Sequence, residues 1–169
     1  MKRIAPVSFL LLFGLFYLAP LLKSAGASFE KVDKVVVVKS KRLMVLLRND
    51  QVLRAYNIAL GRNPKGHKTK QGDKRTPEGT YIIDYRNEKS RYYRSLHISY
   101  PNAADLLNAG SQGVAPGADI MIHGLPNGIA DHDIPLTWDW TAGCIAVANR
   151  EIQEIWDLVP DGTPIEIRP

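Results

Sequence analysis

The chain contains one cysteine, Cys144, so no internal disulfide can staple its fold. Whatever it folds into must be held by a buried apolar core, and the thiol is left inert, paired to another molecule, or reactive. Its surroundings bear on that choice. An apolar run, Ile120-Met121-Ile122, ends in His123-Gly124; a turn-rich polar loop follows; then comes Thr141-Ala142-Gly143-Cys144-Ile145. A thiol attacks carbonyls as the thiolate, and with a pKa near ~8.5 only a few per cent is ionised at neutral pH. An imidazole titrating near ~6.5 can take that proton and return it to a leaving amine. Cys144 is therefore the candidate nucleophile and His123 the candidate base, with Gly124 letting backbone pass close beside it.

Lys2 and Arg3 precede an apolar run from Ile4 to Leu22, and Ala25-Gly26-Ala27 follows. That layout reads as a signal peptide over residues 1–27, or as an uncleaved membrane anchor, because the run is long for a secretory core. Either way the remainder is expected to be exported, to a periplasm or cell envelope, with membrane contact only through the N-terminal segment if it is retained. Residues 28–169 make one domain of ordinary size. They carry 19 basic against 17 acidic residues, a net of +2 compared with +5 for the whole chain, so part of the high pI belongs to the leader. Charge is segregated: residues 28–94 hold 17 basic and 7 acidic groups, residues 95–169 hold 2 and 10. The basic half could meet nucleic acid, anionic lipid or an acidic cell-envelope polymer, and export argues against nucleic acid. For any single lysine in it, solvation is the simpler account.

The valine run Val35 to Val38, then Leu43 to Leu47 and Val52 to Leu60, predict consecutive strands, with Asn49-Asp50 as a hairpin tip. Arg62 to Arg75 has no apolar periodicity and six basic residues, which predicts a long surface loop or flap. Thr76-Pro77-Glu78-Gly79 turns into a strand over Thr80 to Tyr85, and Leu96 to Ser99 is another. Pro101 to Ala109 predicts a short helix with Pro at its first position and Gly110 past its end. Asn149 is expected to cap a second helix, with Ile152, Ile155, Trp156 and Val159 on one face. Pro164 to Ile167 closes the chain as a strand. The sum is a mostly β domain with two short helices.

Other polar groups carry simpler readings. His123, His132 and Cys144 with Asp131 or Asp133 are legitimate zinc ligand types, but no compact ligand spacing supports a zinc site. His97, two residues from Ser99, reads as a structural histidine, and His67 as a solvated loop residue. Trp138 and Trp140 alternate about Asp139 and could pack inward or wall a substrate site.

The ordered set of a first hairpin, Thr76-Pro77-Glu78-Gly79-Thr80-Tyr81, Ile122-His123-Gly124, Gly143-Cys144-Ile145, a helix and Gly162-Thr163-Pro164-Ile165-Glu166-Ile167 resembles the L,D-transpeptidase (YkuD-type) catalytic domain over nearly all of residues 28–169. The resemblance implies a β-sandwich and an exported enzyme acting on peptidoglycan stem peptides, with no metal or organic cofactor. Cys144 would attack the carbonyl before a terminal D-alanine, and the thioester would pass to an amine, giving a crosslink or an anchored envelope protein. It implies His123 as base, oriented by the Gly124 carbonyl, and an oxyanion held by backbone N–H groups of Gly143 and Cys144. Thr141, Trp138, Trp140 and His132 would meet substrate. Two positions depart from the common motif: Ala142 stands where a second histidine is frequent, and Ala146 where an arginine is usual. Arg150 is a candidate substitute for that arginine. A hydrolase on the same scaffold and a non-catalytic envelope-binding module are the alternatives.

Overall fold

The computed structural model describes residues 31–130, 136 and 138–169. Its strands are β1 (Lys34–Val38), β2 (Leu43–Arg48), β3 (Gln51–Asn57), β4 (Gly79–Asn87), β5 (Ser95–Ile98), β6 (Met121–His123), β7 (Ile145–Ala146) and β8 (Thr163–Arg168), with helices α1 (Ala103–Ser111) and α2 (Asn149–Leu158). All eight strands form one sheet in the order β3-β2-β1-β8-β4-β5-β6-β7. Two neighbours are parallel, β1 with β8 and β6 with β7, and the rest are antiparallel.

The valine run lies at β1, between β2 and β8, with Val35, Val36 and Val37 all buried. A strand covered on both faces needs no alternation, which is why its sequence is continuously apolar. β8 alternates instead, burying Ile165 and Ile167. Asn49 and Asp50 both take positive φ, 49° and 60°, as the two-residue hairpin between β2 and β3 requires. The two outer strands meet: past β3, Ala59 exchanges backbone hydrogen bonds of 2.9 and 2.8 Å with Ala146 of β7. The sandwich-like layering therefore comes from one sheet curled until its edges join. That closure satisfies edge groups which would otherwise invite foreign strands.

The expected strand from Val52 to Leu60 thus ends at Asn57, and its last residues cross to the far edge. Both helix starts also differ from expectation. α1 begins after Asn102, whose side chain accepts from the Ala104 and Asp105 N–H groups while Asp105 accepts from Asn102, so Pro101 lies outside and Gly110 within the helix. A reciprocal capping box outcompeted proline as the start signal. α2 is capped at Ala148, whose N–H donates to Glu151 at 2.9 Å. Asn149 is instead its first residue, and its Oδ1 accepts the Leu125 N–H at 2.8 Å. The α2 face is as expected: Ile152, Ile155 and Val159 are buried and Trp156 packs against them. Arg86 donates to the Trp156 carbonyl at 2.6 Å and to that of Val159, which satisfies the C-terminal end of α2.

The flap from Arg62 to Arg75 has no regular structure but is organised from within. The Asp73 carboxylate accepts from the N–H groups of Thr69, Lys70 and Arg75 and pairs with Lys68 at 2.9 Å. Lys68 is buried, contrary to the simple expectation for a basic loop. His67 is likewise no solvated residue: its Nε2 lies 3.1 Å from Asp105 of α1, and its Nδ1 accepts the Glu78 N–H at 3.0 Å. Beneath the flap, the buried Lys39 ammonium donates to the carbonyls of Gly66 and Thr76 and to Glu78, and burial lowers its pKa. His97 is structural, as expected: it bonds Asp84 at 2.6 Å and stacks on Tyr85.

Candidate active site

The parallel pairing of β6 with β7 puts His123 opposite Ala146 and Ile122 opposite Ile145. Extending that register by one residue sets Cys144 beside Met121. Side chains alternate along a strand, so residues 121 and 123 share a face and Cys144 joins them on it. Cys144 and His123 accordingly line two common cavities, of about 260 and 360 Å3, and Cys144 opens onto a third of about 640 Å3. The thiol stands where three clefts meet.

His123 is 3% exposed, and its Nδ1 lies 2.7 Å from the Gly124 carbonyl oxygen. A carbonyl can only accept, so Nδ1 carries the proton and Nε2 is the bare, basic nitrogen. Tyr92, 4.4 Å away, and Trp140, 5.6 Å away, cover the ring. This burial lowers its pKa to about 4. Burial also raises the Cys144 pKa, with the Asp119 charge adding to it, and the Sγ donates weakly to the Asp119 carbonyl at 3.6 Å. At neutral pH the pair is a thiol beside a neutral imidazole, rather than a thiolate beside an imidazolium.

The cysteine loop is fixed from within. Thr141 is buried; its hydroxyl donates to the Cys144 carbonyl at 2.7 Å and accepts the Gly143 N–H at 3.1 Å. Thr141 holds the loop, and it also lines the 260 Å3 cleft. The Gly143 N–H, expected to face an oxyanion, is already spent on that hydroxyl. Gly143 has φ +138°, and a Cβ there would stand 2.8 Å from the Arg75 carbonyl, so only glycine lets the flap root pass. Gly124 is packed as closely: a Cβ would sit 2.5 Å from Asn149 Oδ1, which ties α2 to the turn behind His123.

Of the two tryptophans, Trp140 walls the 260 Å3 cleft and Trp138 is 54% exposed. His132, with Asp131 and Asp133, lies outside the described residues. Among the described residues, no group of three or more His, Cys, Asp or Glu is placed to hold a metal. Ala142 is exposed at the mouth of two clefts, where it leaves the entrance open. Ala146 is wholly buried in the sheet closure, and Arg150 is exposed on α2 and lines none of the three clefts. Sequence reading missed Tyr92, Arg62, Lys74 and Asp119, which line the clefts around Cys144 from loops without periodicity.

Known proteins place this arrangement. YafK of Escherichia coli K12, whose assignment as an L,D-transpeptidase is itself provisional, is 33% identical over 111 residues, 64% of this chain and 38% of its own length. The chain thus spans well under half of that relative. The helical cell shape determining protein Pgp2 of Campylobacter jejuni superposes with a TM-score of 0.62 at 24% identity, covering 82% of this chain and 48% of Pgp2. An L,D-transpeptidase of Xylanimonas cellulosilytica (residues 123–326) gives 0.52 at 17% identity, covering 82% and 61%. The model of the YkuD family, the L,D-transpeptidase catalytic domain, matches residues 33–167, and the chain belongs to that family.

Proposed function

We propose that this chain is an exported cysteine acyltransferase that remodels peptidoglycan stem peptides. The observation that carries the reading is the pair itself: Cys144 and a tautomer-fixed, neutral His123 lining the same clefts. His123 Nε2 takes the thiol proton as sulfur attacks the carbonyl preceding the last residue of a stem. The S–C bond forms, the C–N bond breaks, and the departing amine leaves with the proton held by His123. D-Alanine is the expected leaving group. The Cys144 N–H is the backbone donor for the oxyanion, since Gly143 is engaged.

The thioester then meets an amine or water. A second stem would give a crosslink, an envelope protein would give anchoring, and water would give a trimmed stem. Three clefts converging on one sulfur leave room for donor and acceptor together, which supports transfer. The likeness to Pgp2, a helical cell shape determining protein, fits a role in wall geometry. The apolar N-terminal segment supports export to the periplasm or envelope.

Incubation with a carbapenem should yield a covalent adduct by intact-protein mass spectrometry, and Cys144→Ala should abolish it. Supplied with a disaccharide-tetrapeptide, the enzyme should form a crosslinked dimer; tripeptide alone would make it a hydrolase. Neither adduct nor product would sink the enzyme reading in favour of a binding module.

A further inference from the structure

The 260 Å3 cleft beside Cys144 and His123 carries two cations, Arg62 and Lys74, and among the described residues no acidic side chain lines it. Among the described residues the Lys74 ammonium has no hydrogen bond or ion pair. Arg62 donates from Nε to the Trp140 carbonyl at 3.1 Å, and its terminal guanidinium nitrogens have no partner among those residues. Other basic groups nearby are matched: Lys68 by Asp73, Lys39 by Glu78, Arg42 by Asp139. Arg62 and Lys74 thus place positive charge in this cleft that no described carboxylate offsets.

Its position is also built. Lys74 has φ +58°, a strained conformation for a residue with a side chain. Its carbonyl accepts the Asn63 N–H at 3.1 Å and is pressed so close to Gly61 that a Cβ there would lie 2.1 Å away. Arg62 is anchored in turn, its N–H donating to the Thr141 carbonyl at 3.1 Å. Both cations are thus tied to the loop that carries Cys144.

We propose that the Arg62–Lys74 cleft is the subsite for a free carboxylate: the α-carboxylate of the single residue that leaves when Cys144 is acylated. This rests on the acyl-transfer reading above. The leaving amine takes its proton from His123, which lines this cleft, and in an α-amino acid only the Cα separates that amine from the carboxylate. The carboxylate therefore falls in one of the two clefts that His123 lines. The 360 Å3 cleft shares Cys144 and His123 and holds Lys89 and Arg91 as well, but there the Asp119 carboxylate offsets part of the positive charge and disfavours a second anion. The consequence is exo-specificity. Stems ending in a free carboxylate are cut at their last bond, and peptides in which that carboxylate is amidated or extended are poor donors.

The test compares alkylation of Cys144 by iodoacetate and iodoacetamide at neutral pH and low salt, followed by intact mass, which needs no peptide turnover. The iodoacetate-to-iodoacetamide rate ratio should fall about fivefold in Lys74→Met and in Arg62→Met, survive in Lys74→Arg, and fall with added salt. In parallel, the wild type should prefer a tetrapeptide acid over its C-terminal amide, and the double variant should not. An unchanged ratio in both single variants overturns the anion site. A reduced ratio with the acid preference intact in the double variant overturns its assignment to the leaving carboxylate. A ratio effect without peptide turnover supports the anion site and counts against acyl transfer, so the two failures read differently.

Discussion

Burial sets the protonation of both candidate catalytic side chains, and that has a measurable sign. His123 is pressed between Tyr92 and Trp140, and its pKa falls to about 4. Its basic form persists well below the ordinary ~6.5, so the acid limb of carbapenem acylation should lie near pH 4. A limb near ~6.5 in a rate-against-pH series would refute the buried neutral base. Stability follows the same shift. The unfolded chain takes the proton first, so the contribution of neutral His123 is full above ~6.5 and is lost as pH falls towards about 4, by on the order of 3 kcal/mol. Thermal melts from pH 7.5 down to 4.5 should show that loss in the wild type and a flatter profile in His123→Gln.

Among the elements, the flap shows how a loop without a core is given shape. Asp73 gathers three backbone N–H groups and the Lys68 ammonium. Burial by itself would raise its pKa, but those donors, led by the Arg75 and Thr69 N–H groups, hold it below the usual range. Without the carboxylate the loop loses its internal frame while the sheet beneath is untouched. Asp73→Ala should therefore expose the flap's lysines and arginines to trypsin about tenfold faster, corresponding to ~1.4 kcal/mol of local opening. Equal cleavage rates would mean that the roots at Gly61 and Arg75 suffice. α2 works through its start: Asn149 fixes Leu125 and crowds Gly124, which keeps the carbonyl that orients His123 in place.

At the scale of the molecule, closure of the sheet explains a departure from the family motif. Ala146 occupies the slot of a usual arginine, yet here it is wholly buried and pairs with Ala59 across the closing edge. A guanidinium at that place would be desolvated, and the Asp139 carboxylate by the neighbouring Leu60 is already paired with Arg42. Ala146→Arg should destabilise the fold by about 3–5 kcal/mol, read from denaturant melts, and should lower acylation rather than raise it. A stable, faster variant would show that the site accommodates the family residue after all. The same closure brings Gly61, Arg62 and Thr141 together, so the flap and the cysteine loop share one root.

Much of this was legible in the residues themselves. The valine run, the Asn49-Asp50 turn, the apolar face of α2 and the pairing of Cys144 with His123-Gly124 all rest on local pattern, which a single stretch of chain can carry. Helix starts were misplaced because competing local bonds, Asn102 with Asp105 and Glu151 with Ala148, outweighed proline and asparagine signals. That the Thr141 hydroxyl holds the cysteine loop was not legible, because a hydroxyl next to a candidate nucleophile has no address in sequence and only its two hydrogen bonds show that role. Tyr92, Arg62, Lys74 and Asp119 come from separate loops, and their meeting depends on the curl of the sheet. The sequence by itself determined the candidate nucleophile, the candidate base and the mostly β fold, because these follow from residue chemistry and short-range periodicity. The protonation of the pair, the three clefts and the unmatched cations beside the thiol were decided by tertiary structure, because burial and charge balance depend on neighbours far apart in the chain.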